Sequence, residues 1–409
     1  MRYSWVEFLA AFRNVTRQYR RSLFGIGAVA FGVISLLLAA GFIEWIFWAS
    51  REGAIAGGLG HIHVMRPGYL ENGQSAPRDY LLPQRSPQME AIGRFPTVRV
   101  IAPNLAFNGL ISHGDATISF IGEGLDPEAE LIVSAQLDIP AGKNLSSDAP
   151  KGIMLGRGLA QNLGVQVGDS VVLLSNTPNG GINAVECSVR GLFTTVSKAY
   201  DDSALRVPLP LARQLLRVSG SHRWVLVLED TRQTTQTTLA LRARFADSGL
   251  EFVPWYDMAD FYNKVVALLS KQIDVVQLII GVIIVLSISN TMMMNVLERT
   301  SEIGTCLAIG RSRRQILRQF VYEGLTVGFI GGSLGLALGE ALALLISSIG
   351  IPMPAPPGMS QGYTGEILVT APLAIKALLL AIGTTLLASL YPAWKASRLE
   401  IVDALRHNR

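Results

Sequence analysis

Four long apolar runs interrupt an otherwise mixed chain. Residues 22–43 contain no charge, nor do residues 275–297; residues 324–365 carry only Glu340 and residues 367–394 only Lys376. About 20 apolar residues cross the hydrocarbon of a bilayer, so the pattern predicts four transmembrane helices, the third ending near Ile349. The first run is longer than the ~7 to 15 residues of a signal-peptide core and is followed by no A-x-A cleavage pattern, which reads as an uncleaved anchor.

Between the first two runs the period changes from helix to strand. GHIHVMRP from Gly60, TISFIGEGL from Thr117, SVVLLS from Ser170, AVECSVRGLF from Ala184 and RWVLVLED from Arg223 alternate or cluster β-branched residues between Gly, Pro and Asn, as half-buried strands do. IMLGRGLAQNLGVQVGD reads as a strand end, a short helix packing Leu159 and Leu163, and a turn. Residues 209–217 and 234–246 add helices. The fold class is therefore an α-helical membrane protein with four transmembrane helices plus a large α+β extracytoplasmic domain, residues 49–257, inserted between spans 1 and 2.

Three helical patterns carry more detail. In residues 1–21, Trp5, Phe8, Leu9, Phe12, Val15 and Tyr19 share one face while Arg13, Arg17, Arg20 and Arg21 largely take the other, so this helix lies on the inner leaflet or against the protein's own spans. Residues 258–297 are nearly free of helix breakers, and 40 residues at ~1.5 Å each give about twice the hydrocarbon thickness. Half of that helix stands outside as a stalk, with the first span (residues 22–48) continued through Trp45, Trp48 and Ile55; a break near Lys271 is the alternative. The stalk face at Phe261, Val265, Leu268 and Leu269 is a candidate substrate cleft, unless it only packs the stalk on a neighbour. Finally, Gly324, Gly328 and Gly332, and Gly331, Gly335 and Gly339, recur every fourth position in span 3 (residues 321–349), where small residues let helix backbones approach closely.

Charge sets the orientation. Only 16% of the residues are charged, against about 25% in soluble domains, which argues against a purely soluble enzyme. Residues 1–21, 298–320 and 395–409 together hold 14 basic and five acidic residues, a net +9 in a chain of +4, leaving −5 elsewhere. Basic loops stay inside, which places both termini and the 298–320 loop in the cytoplasm and the large domain and the 350–370 loop outside, with span 4 at residues 371–394. Cys187 and Cys306 then lie on opposite sides and do not pair.

The chain lacks the usual signatures of catalysis. It has no phosphate loop, H-E-x-x-H, C-x-x-C or G-x-S-x-G. His61 and His63 supply only two metal ligands on one strand face, where a site needs more. Glu340 and Lys376 are functional candidates as charges within spans, or structural ones that snorkel. No basic run with interleaved aromatics points to nucleic acid. The chain is read as a non-enzymatic subunit with no catalytic residue, cofactor or metal of its own.

One segment remains, NVLERTSEIGTCLAIGRSRRQILRQFVYEG at residues 295–324. Its short helix places Glu298, Arg299 and Glu302 on polar faces and Ile303 and Leu307 on an apolar one, and spacing alone leaves open a partner-docking helix or a surface loop anchored by arginines. The string resembles the E-R-x-x-E-I-G…A-x-G-x-x-x-x-x-I-x-x-x-F-x-x-E signature of the MacB/FtsX/LolCE-type ABC transporter permeases of the mechanotransmission class (type VII). GHIHVMRPGYL, LGRGLAQNLGVQVGDSVVL, VRGLFTT and YPAWKASRLEIVDALR match in order along the rest.

The resemblance implies that Glu298, Arg299, Glu302, Ile303 and Leu307 form the coupling helix, held outward against a cytoplasmic ABC ATPase that binds ATP and Mg and is present in two copies. It also implies a second permease, as homodimer or paralogous heterodimer, contact with membrane lipids, and room for a periplasmic carrier or adaptor. The implied location is the bacterial inner membrane, and the implied activity is extraction or export of a lipoprotein, lipid, peptide or drug on its outer side. A membrane receptor or scaffold acting on an extracytoplasmic partner without transport, as in FtsX-like regulators, is the other class. Two departures stand out: Glu400 and Ile401 replace the Asp-Pro of the closing motif, and the connection at residues 176–184 is short and Gly-rich where lipoprotein-releasing members carry a longer hairpin.

Overall fold

The computed structural model describes residues 19–73, 76–177, 180–195, 197–354 and 362–400. Most of the expected interfacial helix and the end of the closing motif, Ile401 included, lie outside the described residues. Helix α1 (Tyr19–Ala54) passes through a π-helical turn at Ile55–Leu59 to β1 (Ile62–Met65). The hairpin of β2 (Val98–His113) and β3 (Ala116–Leu125) is followed by α2 (Pro127–Val133), β4 (Asp138–Gly142), β5 (Gly152–Gly156) and α3 (Arg157–Leu163). A second hairpin, β6 (Ser170–Asn176) and β7 (Ile182–Thr194), leads to β8 (Ala204–Pro208), α4 (Leu209–Leu216), β9 (Arg223–Leu228), α5 (Thr234–Arg244) and β10 (Glu251–Pro254). Helices α6 (Asp260–Glu298), α7 (Thr300–Ala308), α8 (Arg313–Ile349) and α9 (Ala371–Ser397) follow.

Two compact units result. One comprises Met1–Trp48, Val265–Pro352 and Thr364–Arg409; the other comprises Ala49–Lys264 and Met353–Tyr363. In the helical unit, α1, α6, α8 and α9 are each long and apolar enough to cross a membrane. Val33, Leu36 and Leu37 of α1, Ile284, Ile288 and Met292 of α6, and Ala377, Ala381 and Ala388 of α9 form its core. The glycine rows of α8 face two different helices. A Cβ at Gly324 or Gly328 would fall 2.6 Å from Ser389 Cβ or 2.1 Å from Thr385 Oγ1, and one at Gly332 2.8 Å from Leu378, all on α9. One at Gly331, Gly335 or Gly339 would fall 2.7 to 2.8 Å from Val29, Val33 or Leu37 on α1. Both rows seat helices of the same chain. Helix α6 runs unbroken for 39 residues, without an interruption at Lys271.

The second unit is built on a ten-stranded mixed sheet in the order β10-β1-β9-β2-β3-β8-β5-β7-β4, with β6 pairing β2 and β7. Helices α3 and α4 bury Leu159, Leu163, Leu211 and Leu215 against Leu105, Phe120, Leu155 and Leu205 of the sheet. A second cluster joins Ile62, Val64, Trp224, Leu226 and Phe252 to Leu241 of α5. The longest strand, β2, is absent from the strands read in the sequence because Pro103, Asn104 and Gly109 interrupt its pattern. The sheet tolerates Pro103 because pairing with β3 begins only at Asn104, so on that side β2 is still an edge.

Candidate functional site

The segment joining α6 to α8 is built by a turn, a short helix and a second turn. Arg299, with φ −97° and ψ 11°, stops α6, and Thr300 Oγ1 donates to the last carbonyls of α6, Val296 O at 3.1 Å and Leu297 O at 2.7 Å. Helix α7 ends at Ala308, and Gly310, whose φ of 99° favours glycine, turns the chain; Arg311 N–H then donates back to Cys306 O. Ser312 and Gln315 form a reciprocal capping box that starts α8 at Arg313. These backbone signals make α7 a separate short helix between two membrane helices.

Side chains then lock it down. Ile303 is buried with Val296, Ile316, Phe320, Ala393 and Ala396, and Leu307 packs partly buried against the same cluster. Arg299, 13% exposed, donates to Glu302 Oε2 and Glu323 Oε1 at 3.1 Å each, and its guanidinium lies 5.8 Å from the Phe320 ring centroid. This corrects the expectation that α7 presents its apolar face outward: Ile303 and Leu307 face the protein's own helices, because a nine-residue helix tethered at both ends is held in place only by burying that stripe. Arg299 is likewise committed to Glu323. Most of the motif that carries the resemblance therefore consists of residues that touch one another.

What faces out is different. Glu298 and Glu302 are exposed, as are Thr305 and Ala308, and Ile309 at the elbow is 82% exposed, followed by exposed Arg311, Arg313 and Arg314. Ile309 does not stand out in the sequence, because it lies beyond the last helical residue; Glu323 is the closing acid of the signature, but nothing local pairs it with Arg299. The only available signal is the Gly310 break, which leaves Ile309 without a helix face to join.

The candidate cleft residues lie on the first turns of α6. Val265 and Leu269 are half-buried and Leu268 is 59% exposed, while the side chain of Phe261 is outside the described residues. Toward the other end of α6, Ile284, Ile288, Met292 and Val296 are buried, and Val275, Leu278, Ile279, Val282, Ile283 and Leu286 are exposed. This outward apolar stripe needs lipid or another protein to cover it. Glu340 and Lys376 are exposed on their helices. His61 and His63 are buried in hydrogen bonds to Thr231 Oγ1 and Leu59 O, and no group of three metal-binding side chains exists among the described residues. Both cysteines are free.

Four membrane helices, a large α+β domain between the first and second, and a braced short helix between the second and third define a class of membrane permease. The chain belongs to the MacB/FtsX family of ABC transporter permeases: residues 22–244, over half its length, match the MacB-like periplasmic core domain and residues 275–401 the FtsX-like permease C-terminal domain. It is 32% identical over 215 residues to the macrolide export ATP-binding/permease protein MacB of Hyphomonas neptunium, covering 50% of this chain and 30% of that one. It is 26% identical over 272 residues to the lipoprotein-releasing system transmembrane protein LolC of Xylella fastidiosa, covering 62% and 64%. The chain spans only 17% to 30% of the length of three MacB relatives. Among solved structures, the periplasmic region of MacB from Actinobacillus actinomycetemcomitans superposes with a TM-score of 0.36 at 12% identity, covering 51% of this chain and 94% of that one.

Proposed function

We propose that this chain is the non-catalytic permease half of an inner-membrane ABC transporter, with both termini in the cytoplasm. Two copies of a separate ATPase bind ATP and Mg and drive two permease chains, and the work is extraction or export of a hydrophobic or amphiphilic substrate on the outer side. The supporting observation is the short helix α7. It is fixed to α8 by the Arg299–Glu323 pair and the Ile303 cluster, yet offers Glu302 and Ile309 outward beside three arginines. A ridge held that rigidly transmits a push to the membrane helices with little loss. The outward stripe of α6 suits a second permease or lipid, and the apolar stalk start at Val265, Leu268 and Leu269 suits a greasy substrate. The relatives' names, macrolide export and lipoprotein-releasing, fit cargo of that chemistry.

The test pairs an exposed change with a buried one. Glu302→Lys and Ile309→Asp should leave expression and membrane insertion normal and lower stimulation of the ATPase about tenfold, since surface changes away from a docking ridge usually cost under ~0.5 kcal/mol of stability. Ile303→Asp should instead reduce the folded amount, because it buries an unpaired charge. Wild-type coupling in both exposed variants would return the ridge to an ordinary surface. Purification with no ATPase, and no stimulation of one on reconstitution, would favour the receptor or scaffold reading.

A further inference from the structure

The C-terminal end of α1 is held by an unusual set of polar groups. A helix normally leaves its last carbonyls to water or to a backbone cap. Here the turn at Ile55–Leu59 is π-helical, closed by Gly60 N–H to Ile55 O at 3.0 Å, and Gly58 sits at φ 125° and ψ −7°. Three of its carbonyls are taken by groups from other elements. Gln136 N–H donates to Ala56 O at 3.3 Å, Arg206 Nη2 to Gly57 O at 3.4 Å and His63 Nε2 to Leu59 O at 2.5 Å. One turn earlier, Thr231 Oγ1 donates to Glu52 Oε2 at 3.1 Å and receives the His61 Nε2 proton; Leu228 N–H donates to His61 Nδ1, which fixes that tautomer.

Arg206 is the centre of this set. Its side chain is 4% exposed on β8, where it donates from Nη1 to Glu130 Oε1 at 2.7 Å and Ser134 Oγ at 3.0 Å and lies 5.1 Å from the Phe193 ring centroid. Strand register puts Glu123 of β3 beside it, and Glu123 also receives Arg223, Asn104 and Tyr200. The Arg206–Glu130 pair is thus buried, beside the half-buried Arg223–Glu123 pair. Replacing such a pair with apolar residues is often neutral or stabilising, so stability alone does not account for it. Its geometry points at the turn: a Cβ on Gly58 would come 3.0 Å from Arg206 Nη2 and 3.2 Å from Ser134 Oγ, in a conformation L residues avoid.

We propose that Arg206, anchored by Glu130 and helped by His63, is a positioning residue that clamps the carbonyl end of α1, so that displacement of α1 is passed to the extracytoplasmic domain instead of being lost in a loose turn. This rests on the mechanical reading given under Proposed function. A π-turn with a non-helical glycine would otherwise be a hinge, and the clamp makes it a stiff joint.

The test uses the full chain in nanodiscs with its ATPase, comparing wild type with Arg206→Met/Glu130→Leu, which keeps volume, and with Gly58→Ala. Amide exchange at residues 56–60 should quicken at least about tenfold in both variants while exchange in β7 and β9 stays as in wild type. Spin labels at Asp115 in two copies should shift in separation on ATP addition in wild type. The shift should fall below about a third in the variants at unchanged ATPase rate. Unchanged exchange at 56–60 overturns the clamp; faster exchange with a full ATP-driven shift overturns its role in transmission. A wild-type protein that hydrolyses ATP without any shift overturns the mechanical reading itself, and the exchange result then judges the clamp separately.

Discussion

His63 shows how one residue couples burial to pH. It is 1% exposed on β1, and burial, reinforced by Arg223, pushes its imidazole down to about 3, against weaker opposing pulls from the Leu59 carbonyl and Glu123. Burial likewise lowers His61 and His222. A histidine whose folded pKa is depressed leaves the unfolded chain to bind the proton first, so the penalty is absent above about pH 6.5 and grows as pH falls toward 3. For His63 it amounts to about 1.4 kcal/mol per pH unit. The extracytoplasmic unit should therefore melt several degrees lower at pH 5.5 than at pH 7.5. His63→Gln, which keeps an N–H for Leu59 O, should reduce that difference; melts of the two proteins with equal pH dependence would show that His63 does not set it. The sequence places His63 on a strand, where the structure has it, but does not show its charge state. Arg223 and Glu123 are separated from it by 160 and 60 positions, and only the sheet register brings them near.

At the scale of the element, Gly332 and Gly335, one from each glycine row of α8, make unequal demands. The Cβ of Gly332→Ala would press chiefly on the tip of Leu378, a side chain that rotates away, and come 3.3 Å from Ala381 Cβ, whereas that of Gly335→Ala would meet Ala30 O at 2.8 Å and Ala30 Cα at 3.0 Å, backbone that does not move. Alanine gains up to ~1 kcal/mol of helix propensity over glycine at either site. Gly332→Ala should be neutral or mildly stabilising, and Gly335→Ala should cost about 1 to 3 kcal/mol through overpacking. Thermal unfolding of the detergent-solubilised protein checks this ranking, and equal midpoints would mean that α1 shifts to make room. Spacing shows that small residues recur every fourth position; which helix each row meets depends on the order in which four helices pack. In the outer unit the same limit appears as β2, whose proline is compatible with a strand only because of where β3 begins.

For the whole molecule, the outward stripe of α6 calls for a cover. Two permease chains with two ATPases should give a mass by light scattering that includes about twice the 44.2 kDa of this chain, and a one-to-one complex would refute the proposed dimer. Photocrosslinking from Leu268 and Phe261 in native membranes should yield lipid or lipoprotein adducts under turnover; adducts to permease chains alone would remove the cleft and leave a packing face.

The sequence by itself determined four membrane helices, an inserted α+β domain and a signature segment between the second and third spans, because hydrophobic runs, strand periods and turn residues act over a few neighbours. Tertiary structure decided which way the short helix turns and what the signature's residues do. Ile303, Ile316 and Phe320 are apolar at helical spacing and equally suited to a partner's groove or to their own core, and only the approach of α8 and α9 settles it. Arg299 similarly reads as a surface cation until Glu323, 24 residues on, is folded against it. Long-range packing also created the grip of Arg206 on the end of α1, since it gathers residues from positions 57 to 206 that no local pattern links.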